Sequence, residues 1–166
     1  FIDVMLLIYS KKKFAIIFPI ILGVVCINNL YNLIKLHPHQ YVYFNAFFEK
    51  KANKLFEIDY WGVSNKNSLE VIAKKDFKKD KLIIGVASFT NLYLSKKMLS
   101  SDLQKKIIIS GQDYTNADLI FTNNYFEINP KYDDKYDIPK NFKKYFSLKK
   151  GSILINEYYI NNDKIN

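Results

Sequence analysis

The hydrophobic pattern changes once along the chain, near residue 36. From Phe14 to Ile27, "FAIIFPIILGVVCI" is fourteen residues without a charge. Asn28 and Asn29 interrupt it, and Leu30, Tyr31, Leu33, Ile34 and Leu36 continue the apolar positions on one helical face. Residues 14 to 33 make a helix about 30 Å long, the thickness of a bilayer's hydrocarbon core. The expectation is a membrane-spanning helix over 14–36, in which Pro19 and Gly23 are tolerated when neighbouring helices pack against it. A buried core helix and the apolar part of a signal peptide give the same pattern. The preceding "FIDVMLLIYS", residues 1–10, reads as the end of another span. The chain opens on Phe1 and reads as the C-terminal piece of a longer protein.

Beyond residue 36 the apolar runs are short and separated by turn residues. Ser64 to Lys75, "SNKNSLEVIAKK", predicts a helix with Ser64 as N-cap and Leu69, Val71 and Ile72 as its apolar positions. Lys81 to Ser88 reads as a buried strand. Thr90 to Leu99 predicts a second helix with Thr90 as capping residue. Lys105 to Ser110 and Ala117 to Asn123 are strand-like, and "KYFSLKKGSILINEYYI" predicts a hairpin around Lys149, Lys150 and Gly151. Strand, helix, strand, strand implies a right-handed crossover and parallel pairing, with the hairpin adding antiparallel strands at one edge. The predicted fold class is α/β: one transmembrane helix followed by a small α/β domain with a mixed, partly parallel sheet. The organisation expected is residues 1–10, a span over 14–36, an interfacial aromatic segment over 37–63 and an extracytoplasmic domain over 64–166.

Charge alters this picture in one respect. The net charge is +9, and all 25 basic residues are Lys. Sequence-specific recognition of guanine and phosphate favours the planar fork of Arg, so no nucleic-acid partner is expected. Lys, Ile, Asn, Tyr and Phe abound in proteins of AT-rich genomes; an anionic membrane surface or an anionic lipid phosphate is the other reason for such a balance. Lys11, Lys12 and Lys13 precede the span, which puts that side in the cytoplasm and the domain outside. Cys26 is the only cysteine, so no internal disulfide and no cysteine metal site form.

Candidate chemistry is sparse. There is no glycine-rich phosphate loop and no Ser-His-Asp arrangement. His37 and His39 flank Pro38 and would share a face in an extended segment, as a metal chelate needs, but packing or hydrogen bonding is the commoner use. Asp133, Asp134 and Asp137 lack the glycine and the bidentate Glu of a calcium loop. Asp59, followed by Tyr60, Trp61 and Gly62, has two readings. One is a sugar site, with rings on the sugar's apolar face and the carboxylate on its hydroxyls. The other is a packing corner, with Trp61 in the core and Asp59 capping the helix near Ser64.

"HPHQYVYFN" (37–45), then "FEIDYWGVSNKNSLEVI" (56–72), resembles the last span and outer segment of bacterial polytopic, lipid-carrier-dependent membrane glycosyltransferases. These are of the GT-C type, related to the protein mannosyltransferase and lipid A aminoarabinose transferase families. "NADLIFTNNY" (116–125) is similar to an Ala-Asp-Tyr-x-x-Thr-Asn-Tyr strand of that group, and "LKKGSILINEYYI" (148–160) to its closing strand. His39 stands where the pattern has Tyr. The resemblance covers about residues 14 to 160, specific in its first third and looser after. It implies a multi-pass protein of the bacterial inner membrane, with partners in the bilayer, a polyprenyl-phosphate-sugar donor and the missing transmembrane part of the same chain. The catalytic carboxylate would lie upstream, so no catalytic residue is assigned. No cofactor is assigned to this piece either, and a divalent metal in the upstream part is left open. The candidate substrate-binding residues are His37, Gln40, Tyr43, Asn45, Asp59 and Trp61. Leaving the membrane, the chain would run along the interface through Tyr41, Tyr43, Phe44, Phe47 and Phe48. The alternative is a membrane-anchored binding or assembly module without catalysis.

Overall fold

The computed structural model describes residues 12–45, 47–75, 77, 79–125 and 134–161. The expected span end at 1–10, Lys11 and Asp133 lie outside the described residues. The chain forms two compact units, Phe1–Tyr43 and Phe44–Asn166.

The first unit contains α1, Lys12–Leu36, 25 residues with Pro19 inside. Ala15–Leu36 is long and apolar enough to cross a membrane, with a mean hydropathy of 1.9 and none of its most apolar stretch buried. Its side chains are exposed all round: Ile16, Ile17, Phe18, Ile20, Ile21 and Leu22 in succession. A helix apolar on every side has no single face for a protein core. The helix is followed by a turn, with the His39 N–H on Leu36 O at 2.7 Å, and by a 3-10 turn at Gln40–Val42. The Tyr43 hydroxyl then donates to Asn29 Oδ1 at 2.7 Å, which gives one of the two interrupting asparagines a partner.

The second unit is a mixed α/β domain. A short helix, α2 at Ala52–Leu55, precedes α3 at Asn65–Ala73. Then follow β1 (Leu82–Val86), α4 (Leu92–Lys97), α5 (Ser101–Lys105), β2 (Ile107–Gly111), β3 (Leu119–Thr122), β4 (Phe142–Lys150) and β5 (Ile153–Asn161). The strands lie in the order β2-β1-β3-β5-β4. β1 pairs parallel with β2 and β3, while β5 pairs antiparallel with β3 and β4. The mixed, partly parallel sheet is therefore present. The closing hairpin begins at Phe142, earlier than its apolar pattern suggested, because Lys143, Lys144 and Tyr145 are exposed on an edge strand. Its turn is Gly151–Ser152, with Gly151 at φ +59°.

Two expectations about helices change. Thr90 does not cap α4: Asn91 does, its side chain accepting the Leu94 N–H at 3.2 Å. The segment 90–99 also stops short at Lys97, and a separate turn of helix, α5, follows it.

The domain begins at Phe44, twenty residues before Ser64, because the intervening segment is bonded to the hairpin. The Glu49 carboxylate accepts from Ser152 N and Oγ, both at 3.2 Å. The Asn53 amide donates to Leu154 O at 2.6 Å and accepts from Leu154 N at 3.0 Å.

One sheet face packs Leu82, Ile84, Val86, Leu119, Phe121 and Tyr158 against Leu69 and Ile72 of α3 and Leu92 of α4. The alternation of strand side chains puts Ala87, Ala117 and Ile120 on the other face, with Phe142, Tyr114, Ile138 and Tyr159. Here the chain from β2 to β3 passes over β1 without a helix, and Gly85 makes room for it: a Cβ at Gly85 would stand 2.7 Å from the Tyr114 ring. The Tyr114 hydroxyl donates to Lys135 O at 2.7 Å, with Val86 O at 3.3 Å. Two buried carboxylates are neutralised at the sheet. Asp118 accepts from Lys79 Nζ at 2.5 Å and Ile83 N at 2.9 Å, and Glu157 from Lys144 Nζ at 2.5 Å. The Glu157 bond in turn raises the Lys144 ammonium above its usual range.

Burial, with Tyr136 and Asp137 nearby, pushes the Tyr114 phenol up from 10.0 to about 12. Folded Tyr114 thus keeps its proton where the unfolded chain loses it. The stability linked to it is complete below pH 10.0 and is lost as pH rises towards about 12. Urea unfolding across this window should show a falling unfolding free energy. The decline should be shallower in Tyr114→Phe; an equal slope in both proteins would contradict the assignment.

Candidate functional site

The Asp59–Gly62 turn is wound by two left-handed residues, Asp59 at φ +60° and Gly62 at φ +63°. Asp is among the few non-glycine residues that tolerate this region. Gly62 N–H donates to Asp59 O at 2.9 Å, and Asn65 N–H to Gly62 O at 3.1 Å. Gly62 is also sterically required, since a Cβ there would meet Asn65 Nδ2 at 2.6 Å and the Thr90 Cβ at 3.3 Å. The winding turns the Asp59 carboxylate inwards, leaving it 3% exposed. It accepts Ser64 Oγ–H at 2.5 Å and Ser64 N–H at 3.3 Å. Ser64 makes no side-chain cap bond to α3, contrary to expectation, because its hydroxyl is directed at Asp59.

Residues following β1 and β3 and one within β5 complete a buried polar network. Asn123 Nδ2 donates to Asp59 O and to Thr90 Oγ1, both at 3.3 Å. Ser88 Oγ donates to Asn123 Oδ1 at 2.5 Å and lies 3.0 Å from Thr90 Oγ1. Its one proton goes to Asn123, so the Thr90 hydroxyl donates to Ser88. Thr90 Oγ1 also accepts from Asn65 Nδ2 at 3.1 Å. Asn156 of β5 donates to Ser64 Oγ at 2.6 Å. Ser68 Oγ donates to Asn65 O at 3.1 Å and lies 3.3 Å from the Tyr158 hydroxyl. Burial pushes that phenol well above its ordinary value. Two buried acceptors, Asn65 Oδ1 and Asn156 Oδ1, have no hydrogen-bond partner. The other polar atoms of the network pair with one another, so it is a joint that fixes the turn.

What the turn presents outwards is aromatic. Trp61 is 84% exposed, which removes it from the core position that the packing-corner reading assigned; the left-handed residues on either side turn Tyr60 and Trp61 away from the inward carboxylate. The Tyr60 ring lies 4.8 Å from Trp61 and 4.9 Å from Tyr125, and Tyr125 lies 5.8 Å from Phe89, each pair edge to face. Burial and the neighbouring Tyr60 raise the Tyr125 phenol above its ordinary value. Since Trp61 touches little of the domain, Trp61→Ala should change its stability by no more than about 0.5 kcal/mol. A loss like that of a core aromatic in thermal unfolding would contradict the exposed placement.

The other candidates are distributed over both units. His37, Gln40 and Tyr43 belong to the first, where Gln40 Nε2 lies 2.9 Å from His37 Nδ1 and Tyr43 bonds Asn29. His39 Nδ1 is 3.4 Å from the Tyr41 hydroxyl, so each histidine is engaged by its own neighbour. Asn45 belongs to the second unit and closes a turn, accepting Phe47 N–H at 3.1 Å and Phe48 N–H at 3.3 Å. Among the described residues no group of three or more His, Cys, Asp or Glu stands ready for a metal.

No family model, curated protein or solved structure matches this chain. Ser88, Thr90, Asn123 and Asn156 join the network although they stand outside the sequence motifs that carry the candidate site residues. For Ser88, Thr90 and Asn123 a signal is present, since Ser, Thr and Asn follow two apolar strands in "GVASFT" and "IFTN"; Asn156 lies inside an apolar strand and has no such signal.

Proposed function

We propose that this chain is the C-terminal membrane span and extracytoplasmic domain of a lipid-carrier-dependent glycosyltransferase of the GT-C type. Such an enzyme moves a sugar from a polyprenyl-phosphate donor to an extracytoplasmic acceptor, as part of a multi-pass protein of the bacterial inner membrane. One observation carries the reading: three separate segments of the resemblance meet in one network. The Asp-Tyr-Trp-Gly turn supplies Asp59, the "NADLIFTNNY" strand supplies Asn123 to Asp59 O, and the closing strand supplies Asn156 to Ser64. In this reading the domain contributes no catalytic residue. Asp59 positions the turn, and in the first unit His37 and Tyr43 keep exposed surface.

The second reading is a membrane-anchored binding or assembly module, and the display of Trp61 favours it. The two differ in one assay. Membranes from cells expressing the complete gene product are given a labelled polyprenyl-phosphate sugar, and transfer to envelope acceptors is measured against membranes lacking it. Transfer that depends on the gene supports the enzyme. Its absence over hexosyl and pentosyl donors, with the protein folded in the membrane, contradicts it. Orientation is tested separately: a reporter fused after Asn166 should be active only outside the cytoplasm, and activity inside would reverse the topology.

A further inference from the structure

We propose that the rings of Tyr60, Trp61, Tyr125 and Phe89 form a second membrane contact, an aromatic patch on the folded domain that lies in the headgroup layer of the bilayer. The inference is independent of sugar transfer and needs only a bilayer around α1.

The patch is built rather than incidental. A buried carboxylate, a left-handed Asp59 and a glycine with no room for a side chain hold the turn. The outcome is a tryptophan 84% exposed, with Tyr60 and Phe89 also exposed. Contiguous exposed aromatic surface of this kind marks an interaction site. The chain continues from Phe89 into α4, where Tyr93 and Leu94 are exposed as well.

The chemistry of the patch selects its partner. The side chains of Asn65, Ser88, Thr90 and Asn123 are buried and hydrogen-bond to one another, so they are not presented at the surface beside the rings. Polar tips are supplied by the Tyr60 and Tyr125 hydroxyls and the Trp61 indole N–H, with the Glu57 carboxylate near enough to help raise the Tyr125 phenol. Rings that are apolar in body and polar at one tip belong to the membrane–water interface, where Trp and Tyr are enriched. Lysines accompany them: α4 carries Lys96 and Lys97, and the Lys97 ammonium stands 4.9 Å from the centre of the Tyr93 ring. Such lysines suit anionic headgroups, as does the net charge of +9.

Trp61 is the only tryptophan in the chain, so its emission reports on the patch directly. The 166-residue chain is reconstituted into vesicles of phosphatidylethanolamine and phosphatidylglycerol. Its fluorescence is quenched either by aqueous acrylamide or by phospholipids brominated high on the acyl chain. The expected result is strong quenching by the brominated lipid and several-fold weaker quenching by acrylamide than for free indole. Lys96→Gln with Lys97→Gln should restore part of the acrylamide quenching. Acrylamide quenching as for free indole, with none from brominated lipid, would overturn the proposal. So would shielding from both quenchers, which means a protein partner, or protection that appears only on adding soluble sugars, which means a carbohydrate platform. Trp61→Phe, silent in fluorescence, confirms that the signal comes from this residue.

Discussion

Asp59→Ala is expected to destabilise the domain by about 2.5–5 kcal/mol, since two losses add at this residue. The buried Ser64 hydroxyl and N–H lose their carboxylate acceptor, and a hydrogen bond to a charged group contributes about 1.5–3 kcal/mol. Alanine must also take the left-handed backbone at φ +60°, which costs an L-residue about 1–2 kcal/mol. Asp59→Asn separates the two, because asparagine tolerates that backbone and keeps one acceptor. Its loss should be clearly smaller, near 1–2 kcal/mol at roughly one hydrogen bond's worth. Urea unfolding of the chain in detergent, followed by near-ultraviolet circular dichroism, gives both values. Equal losses in the two variants would mean that the backbone conformation contributes nothing.

Tyr158→Ala should cost a similar amount, about 3–5 kcal/mol as large aromatic truncations do. The ring is fully buried on β5, with Phe121 at 5.2 Å and Phe146 at 6.1 Å, and the hydroxyl reaches Ser68 on α3. It therefore ties the antiparallel part of the sheet to the helix layer. Tyr158→Phe keeps the volume and gives up one neutral hydrogen bond, so its loss should be about 1 kcal/mol. A Tyr158→Ala loss no greater than that of Tyr158→Phe would mean that the site collapses around the cavity, and the core would not be centred here.

The apolar layout of this chain was legible because it is periodic. The apolar run from Ala15 to Leu36 gives a membrane-length helix, and the runs at Ile83, Ile107 and Leu119 are strands of one sheet, with the Ile107 strand at its edge. The elements near residues 64, 82, 107, 119 and 153 start close to where the pattern put them. Polar residues were harder to place, because their partners are distant in sequence. Ser64 has the composition of an N-cap, yet its hydroxyl turns to Asp59; Thr90 has it too, yet lies among Asn65, Ser88 and Asn123. Trp61 illustrates the same limit. Hydrophobicity alone assigns it to a core, and only the φ values of Asp59 and Gly62 turn it outwards. Gly85 carried no readable signal, because its reason is a tyrosine from another loop lying against the strand.

The central claim is that Asp59 and Ser64 form the anchor of a buried polar joint that fixes the aromatic turn. A double-mutant cycle with Asp59→Ala and Ser64→Ala tests it most directly. The left-handed penalty of alanine occurs in both arms and cancels, leaving the interaction itself. The account predicts a coupling of about 1.5 kcal/mol or more, as for a buried hydrogen bond to a charged acceptor. A coupling indistinguishable from zero, with both single variants folded, would contradict the joint and with it the fixed outward display of Trp61.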